Sequence, residues 1–201
     1  MLTYYHSFYD SNQPFVKGTD VLGMTTKAVQ DEATKSWLLT GRKMWITNGG
    51  FANLFTVFAK IEDDENLTAF LVEADSEGIT LNPEEKKMGI KGSSTRQVFF
   101  NNVKVPVANM LSERGNGFKI ALNILNIGRI KLGAAVMGGA KGGIDESVRY
   151  ALEREQFGRS ISKYGAIRYK LAEQVIQTYA VESATYRAGQ NTDDAIKGLM
   201  E

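Results

Sequence analysis

The ten residues Gly41-Arg42-Lys43-Met44-Trp45-Ile46-Thr47-Asn48-Gly49-Gly50 set a large aromatic and a hydroxyl two positions apart, between a glycine turn and an Asn-Gly-Gly turn. Side chains alternate along an extended strand, so Met44 and Ile46 are expected on one face and Trp45 and Thr47 on the other. That second face joins a stacking surface to a hydrogen-bonding group near a strand end. A planar polar ring, such as a flavin, could use both. The same residues also suit an ordinary hairpin whose Trp enters the core and whose Thr caps a turn.

Arg129 is a second candidate. Phe118, Leu122, Leu125, Arg129, Leu132 and Val136 step by four and three residues, which makes one helical stripe. A guanidinium on an apolar stripe is costly unless something anionic meets it; a snorkelling side chain or an internal ion pair is the other reading. Several other chemistries are excluded. There is no Cys and only one His, His6, which removes disulfides, zinc sites, thiol nucleophiles and a His-based triad away from the N-terminus. Gly138-Gly139-Ala140-Lys141-Gly142-Gly143 fits neither phosphate-loop nor dinucleotide spacing and follows no strand. Asp63-Asp64-Glu65-Asn66 reads as a solvated hairpin tip rather than a metal site. A net charge of +1 argues against a nucleic-acid footprint. Residues 1–9 carry no secretory pattern and no apolar run approaches membrane-spanning length, so the default expectation is a cytoplasmic protein.

The elements that must position these groups follow from the pattern. Residues 1–17 show poor periodicity and no assignable element. Short β-type runs are expected at 24–29, 36–40, 43–47, 54–60, 68–73, 79–83 and 96–100, with a closing strand at 103–106. Seven short strands separated by turn residues suggest an antiparallel barrel or sandwich. The pattern turns helical from about 115 to 153, breaks at Phe157-Gly158-Arg159-Ser160, and resumes from about 164 to 189. Ile167, Leu171, Val175 and Tyr179 are expected to form the buried edge of the second helix, and residues 191–201 a fraying tail. The two helices should form an antiparallel hairpin with one apolar side to cover. Glycines at 128, 133, 138, 139, 142 and 143 each cost a helix roughly 1 kcal/mol, so close approach of a neighbouring helix or subunit is expected there.

Residues 41–49 resemble the Gly-x-Lys-x-Trp-Ile-Thr-Asn-Gly signature of the acyl-CoA dehydrogenase family. Similar matches follow in the family's order: Lys86-Lys87-Met88-Gly89-Ile90-Lys91, Val103-Lys104-Val105-Pro106, Gly115-Asn116-Gly117-Phe118-Lys119, Asn126-Ile127-Gly128-Arg129 and Arg154-Glu155-Gln156-Phe157-Gly158. Together they cover roughly residues 18–190, and the Asn-x-Gly-Arg form is most similar to the long- and very-long-chain branch. The resemblance implies an α+β architecture: a middle β-domain over 1–110, then the first half of a helical bundle over 111–201.

It further implies FAD-dependent α,β-dehydrogenation of an acyl-CoA thioester, a homodimer or tetramer built through the helical hairpin, and a possible electron-transfer acceptor protein. Thr47 would bond the flavin edge near N5, with Trp45 beside the ring and Ile46 in the same cofactor-binding segment. Arg154, Gln156 and Phe157 match the segment that reaches the FAD of a neighbouring subunit, where an Arg suits the diphosphate. Thr19, Asn126 and Arg129 match positions lining the acyl-CoA channel. Two departures stand out. The family's Thr-Glu-Pro-x-x-Gly-Ser-Asp survives only as Gly18-Thr19-Asp20, with Gln13 and Pro14 where the Thr-Glu pair is expected. Gly128 stands where one branch carries its catalytic Glu before the Arg, and the other branch carries it further along than Glu201. Glu113, Glu146 and Glu153 read as surface charges, so the chain is expected to lack its proton acceptor and to be inactive alone.

Overall fold

The computed structural model describes residues 21–200. The expectations for residues 1–17, for the Gly18-Thr19-Asp20 remnant and for Thr19 as a channel residue lie outside the described residues. The chain divides into two compact units after Leu122.

The first unit is built on strands β1 (Lys27–Asp31), β2 (Ser36–Thr47), β3 (Leu54–Ile61), β4 (Thr68–Glu73), β5 (Ile79–Leu81), β6 (Thr95–Pro106) and β7 (Met110–Leu111). They form one seven-stranded sheet in the order β5-β6-β2-β1-β3-β4-β7. The sheet does not close into a barrel: β5 and β7 remain edges, and the arrangement is sandwich-like. Nor is it wholly antiparallel, because β1 runs parallel to β3 while the other neighbouring pairs are antiparallel. Trp37 of β2 and Phe70 of β4 are not sheet neighbours, yet their rings meet edge-on at 5.8 Å. The sheet therefore folds its faces toward each other. Alternating apolar residues fill the space between, including Leu39, Val57, Ile61, Val72, Val98 and Val103.

Two expected strand breaks are absent. Residues 36–47 form one strand, as do 95–106, and β2 absorbs its misfit as register shifts between Leu39 and Gly41 and between Lys43 and Ile46. Gly41 is required there by close approach: a Cβ would lie 2.6 Å from the Thr26 hydroxyl oxygen. The Asn-Gly-Gly turn is not a hairpin. β2 pairs with β1 and β6, whereas β3 pairs with β1 and β4, so the turn carries the chain across the sheet. Residues 62–67 do form a hairpin tip between β3 and β4, but it is fastened rather than merely solvated. Arg114 donates from Nε and Nη2 to the two oxygens of Asp64, at 2.7 and 2.9 Å.

Helix α1 (Gly117–Glu153) starts against this unit: the Gly117 amide donates to the Leu67 carbonyl at 2.7 Å, and Ala121 packs with Met24, Phe58, Leu67 and Ala69.

In the second unit, α1 runs to Glu153 and α2 spans Gly165–Met200, so the expected tail is helical as far as it is described. Between them β8 (Glu155–Gln156) and β9 (Arg159–Ser160) make a two-strand turn through Phe157 and Gly158, both at positive φ. The helices are antiparallel: Gly133 faces Thr185, and Lys141 pairs with Glu182. The inward seam of α1 is Ile130, Gly133, Met137, Ala140, Ile144, Ser147 and Ala151, alternating steps of three and four. On α2 the seam facing it is small and polar, running through Thr178, Glu182 and Thr185. The expected edge holds in part: Ile167 and Leu171 are half-buried, but Val175 and Tyr179 are exposed, and so are Leu132 and Val136 of the α1 stripe. Of the six α1 glycines expected to mark close approach, only Gly133 meets a neighbour among the described residues, Thr185; Gly128, Gly138, Gly139, Gly142 and Gly143 face open space.

By length and composition α1 is also apolar enough to cross a membrane. No uninterrupted apolar run shows this in the sequence; Ile, Leu, Val, Met and Ala raise the mean between the interrupting polar residues and glycines.

The core account makes a direct prediction. Phe70→Ala removes a fully buried ring and should lower the free energy of unfolding by about 3–5 kcal/mol, read from urea denaturation. A loss under about 1 kcal/mol would mean that the sheet faces do not pack on this ring.

Candidate functional site

The irregularity in β2 decides what the central segment can do. Between Lys43, paired with Val98, and Ile46, paired with Arg96, the strand carries an extra residue relative to β6. Lys43 and Ile46 are therefore the inward positions, both buried, and Met44 is only half-buried. The expected pairing of Met44 with Ile46 on one face fails for this reason: the bulge resets the alternation. Trp45 sits in the bulge with φ +54° and is 46% exposed. A left-handed backbone at a bulky aromatic is unusual, and the surroundings must hold it. Thr47, the next outward position, is partly exposed, and its hydroxyl has no hydrogen-bond partner among the described residues. An exposed indole and an open hydroxyl donor thus stand two residues apart on one strand end. The indole of Trp37, by contrast, is the one that enters the core.

The turn after Thr47 is tied to the loop before β6. The Asn48 amide donates to the Ser94 carbonyl at 2.9 Å and the Gly50 amide to Ser94 Oγ at 3.0 Å. Glu84 collects this loop: it accepts from Ser94 Oγ at 2.7 Å, the Thr95 amide at 2.8 Å and Arg96 Nε at 2.8 Å. Thr95 is the partner of Thr47 in the sheet, and Lys87 Nζ donates to its hydroxyl at 2.9 Å. A Cβ on Gly50 would come within 2.9 Å of Ser94 Oγ, Arg96 Nε and Glu84 Oε1, so a larger residue there would have to push these side-chain ends aside. Sequence reading missed Glu84, because nothing in its spacing shows that it returns to a turn thirty-odd residues earlier. An open cavity of about 650 Å³ adjoins this turn, lined by Gly49, Gly50, Ala52, Asn53, Leu54, Glu73 and neighbours.

In the second unit, Arg154 follows the end of α1; it is exposed and makes no ion pair among the described residues. Gln156 donates to the Glu155 carbonyl, and its own carbonyl accepts from the Tyr164 hydroxyl at 2.8 Å. Phe157 is 94% exposed at φ +53°, its ring edge-on to Tyr164. Arg159 lies over the same Tyr164 ring, 4.3 Å from its centre. Asn126 and Arg129 come together, Arg129 Nη1 donating to Asn126 Oδ1 at 2.7 Å. Arg129 is exposed, so the expected cost of a buried guanidinium does not arise. It stands at an open, mostly apolar groove of about 350 Å³ with Ile130, Gly133, Val181, Ala184, Thr185 and Ala188. Glu113 and Glu153 are exposed, and Glu146 pairs with Arg149 on the helix surface.

The profile of the acyl-CoA dehydrogenase middle domain matches residues 15–103, and that of the acyl-CoA dehydrogenase C-terminal domain matches residues 115–199. The chain belongs to the acyl-CoA dehydrogenase family. It is 46% identical over 184 residues to the human mitochondrial very long-chain specific acyl-CoA dehydrogenase, covering 88% of this chain and 28% of that one. Among solved structures it is similar to the Bacillus anthracis acyl-CoA dehydrogenase complexed with FAD, at 47% identity and a TM-score of 0.77, covering 86% of this chain and 30% of that one. Butyryl-CoA dehydrogenase from Megasphaera elsdenii aligns with a TM-score of 0.80 at 37% identity, over 92% of this chain and 49% of that one. The chain thus spans about 28% of the length of the human relative.

Acid titration tests the network that holds the strand end. Hydrogen bonds from Arg96, then Ser94 and the Thr95 amide, draw the Glu84 carboxyl down from 4.5 to about 2. A folded value below the unfolded one stabilises fully above about pH 4.5 and is lost as pH falls toward 2. The Asn48 and Gly50 amide resonances should hold steady above pH 5 and move within that window, and Glu84→Gln should abolish the movement. Identical acid titrations of the two proteins would show that Glu84 does not hold this turn.

Proposed function

We propose that this chain takes part in FAD-dependent α,β-dehydrogenation of acyl-CoA thioesters, and that its 201 residues bind cofactor and substrate without completing the reaction alone. One observation carries the reading: an exposed indole held by a left-handed bulge beside an open hydroxyl at the strand end. The donor set fits a flavin. Trp45 offers a flat face to a conjugated ring and Thr47 a hydrogen bond to the ring's polar edge near N5, with the buried Ile46 anchoring the segment between them. FAD, when bound, supplies the acceptor for the hydride leaving the β-carbon.

The second unit adds groups for the rest of the cofactor and for the substrate. Arg154 presents an uncommitted guanidinium suited to a diphosphate, and Gln156 and the exposed Phe157 flank it for the adenine end of FAD held by a second subunit. Asn126 and Arg129, with Thr19 outside the described residues, would line the acyl-CoA channel, and the groove at Arg129 has the apolar wall an acyl chain needs. A subunit contact of this kind would also cover the outward Leu132, Val136, Val175 and Tyr179, giving a homodimer or tetramer.

No carboxylate among the described residues is placed as the α-proton acceptor. Gly128 precedes Arg129, and Glu113, Glu146 and Glu153 lie on the surface. That observation favours a second reading: a split or non-catalytic subunit that binds flavin, acyl-CoA or a partner protein. Neither reading has the isolated chain turn over; the first requires that it hold flavin, while the second is met by acyl-CoA or a partner protein without it.

Purified protein reconstituted with FAD should show the flavin visible bands after desalting, and adding a long-chain acyl-CoA should not bleach them. Bleaching would overturn the proposal that the chain is inactive alone; loss of all flavin on desalting would overturn tight binding. Thr47→Ala and Trp45→Ala should each weaken FAD retention by about tenfold. Sedimentation should give a dimer or larger species, and a compact monomer would contradict the subunit contact.

A further inference from the structure

We propose that Glu84 is a positioning residue for the cofactor-binding strand end, acting through Ser94 and Thr95 without touching the ligand itself. The inference rests on the flavin reading of Trp45 and Thr47 and deepens it.

The argument is one of connectivity. β2 ends at Thr47, and the turn beyond it closes on itself, the Gly49 amide donating to the Ile46 carbonyl and the Ala52 amide to the Asn48 carbonyl, with Ala52 in the core and Phe51 exposed. Two further bonds tie this turn to Ser94, from the Asn48 amide to its carbonyl and from the Gly50 amide to its hydroxyl. Ser94 lies in a loop that follows exposed Met88 and Ile90, so that loop needs an anchor of its own. Glu84 supplies it. One carboxylate oxygen takes the Ser94 hydroxyl proton and the Arg96 Nε–H; the other takes the Thr95 amide. Ser94 therefore relays the carboxylate to Gly50, while Thr95 relays it to Thr47 across the ladder. Lys87 adds a second hold on the same loop, donating to the Ser93 carbonyl and the Thr95 hydroxyl. A carboxylate accepting three charge-assisted or amide bonds is a stiff node, and stiffness at this node is what a bulge holding an aromatic at φ +54° requires. The missing Cβ at Gly50 leaves the room in which the three groups meet.

Glu84→Ala and Glu84→Gln, with Glu85→Gln as a control on the same loop, separate the possibilities. Glu85 bonds Gln97 and not Ser94. Two readouts are taken on the full chain: amide exchange at Asn48 and Gly50, and FAD affinity by titration. Glu84→Ala should speed exchange at both amides by about tenfold and weaken FAD binding by a similar factor. Glu84→Gln, which keeps an acceptor but loses the charge, should fall between, and Glu85→Gln should match the unsubstituted protein. Unchanged exchange in Glu84→Ala would overturn the clamp. Faster exchange with unchanged FAD affinity would overturn its role in positioning. If the unsubstituted protein binds no FAD, the flavin reading and the cofactor half of this inference fall together, and exchange still decides the clamp.

Discussion

One misfit in a ladder governs the first unit. β2 has a residue too many for β6 between Lys43 and Ile46, and the surplus is absorbed by turning Trp45 outward on a left-handed backbone. Without the surplus, strict alternation would put Trp45 on the same face as Lys43 and Ile46 on the other, so Lys43 and Ile46 could not both point inward. With it, Lys43 and Ile46 both reach the interior and the indole is left on the surface beside Thr47. A strained aromatic of that kind persists only where its neighbours over-determine it. Here the neighbours are the sheet on one side and the Glu84 node on the other.

The second unit is organised by the opposite placement of apolar groups. Its two helices meet along a seam that on α2 passes from Ile167 and Leu171 to Thr178, Glu182 and Thr185, while Val175, Ile176, Tyr179 and Tyr186 point out. A helix pair with its apolar residues outward gains little from its own contact and much from whatever covers it. The exposed Phe157 at the turn between the helices extends that pattern to the end of the hairpin.

Much of this was legible in the residues. The strand positions, the helix break at Phe157-Gly158 and the family signature around Trp45 all come from local pattern and motif. What was not legible depends on partners distant in sequence. The bulge arises from pairing with Arg96 and Val98 of β6, distant in sequence, so alternation counted on β2 alone misplaced Met44. The parallel β1–β3 pairing and the fastening of Asp64 by Arg114 are likewise tertiary facts. The α2 edge was right at Ile167 and Leu171 and wrong at Val175 and Tyr179, because strict four-residue steps drift around a helix of 3.6 residues per turn.

The central claim is that Trp45 is placed to lie against a flavin. The chain has two tryptophans, so Trp37→Phe leaves Trp45 as the only indole emitter. Titrating that variant with FAD, with absorbance of the exciting and emitted light corrected, should quench Trp45 emission saturably, and Thr47→Ala should shift the midpoint to higher FAD. Emission that falls only by the optical correction, with no saturable component, would contradict the account.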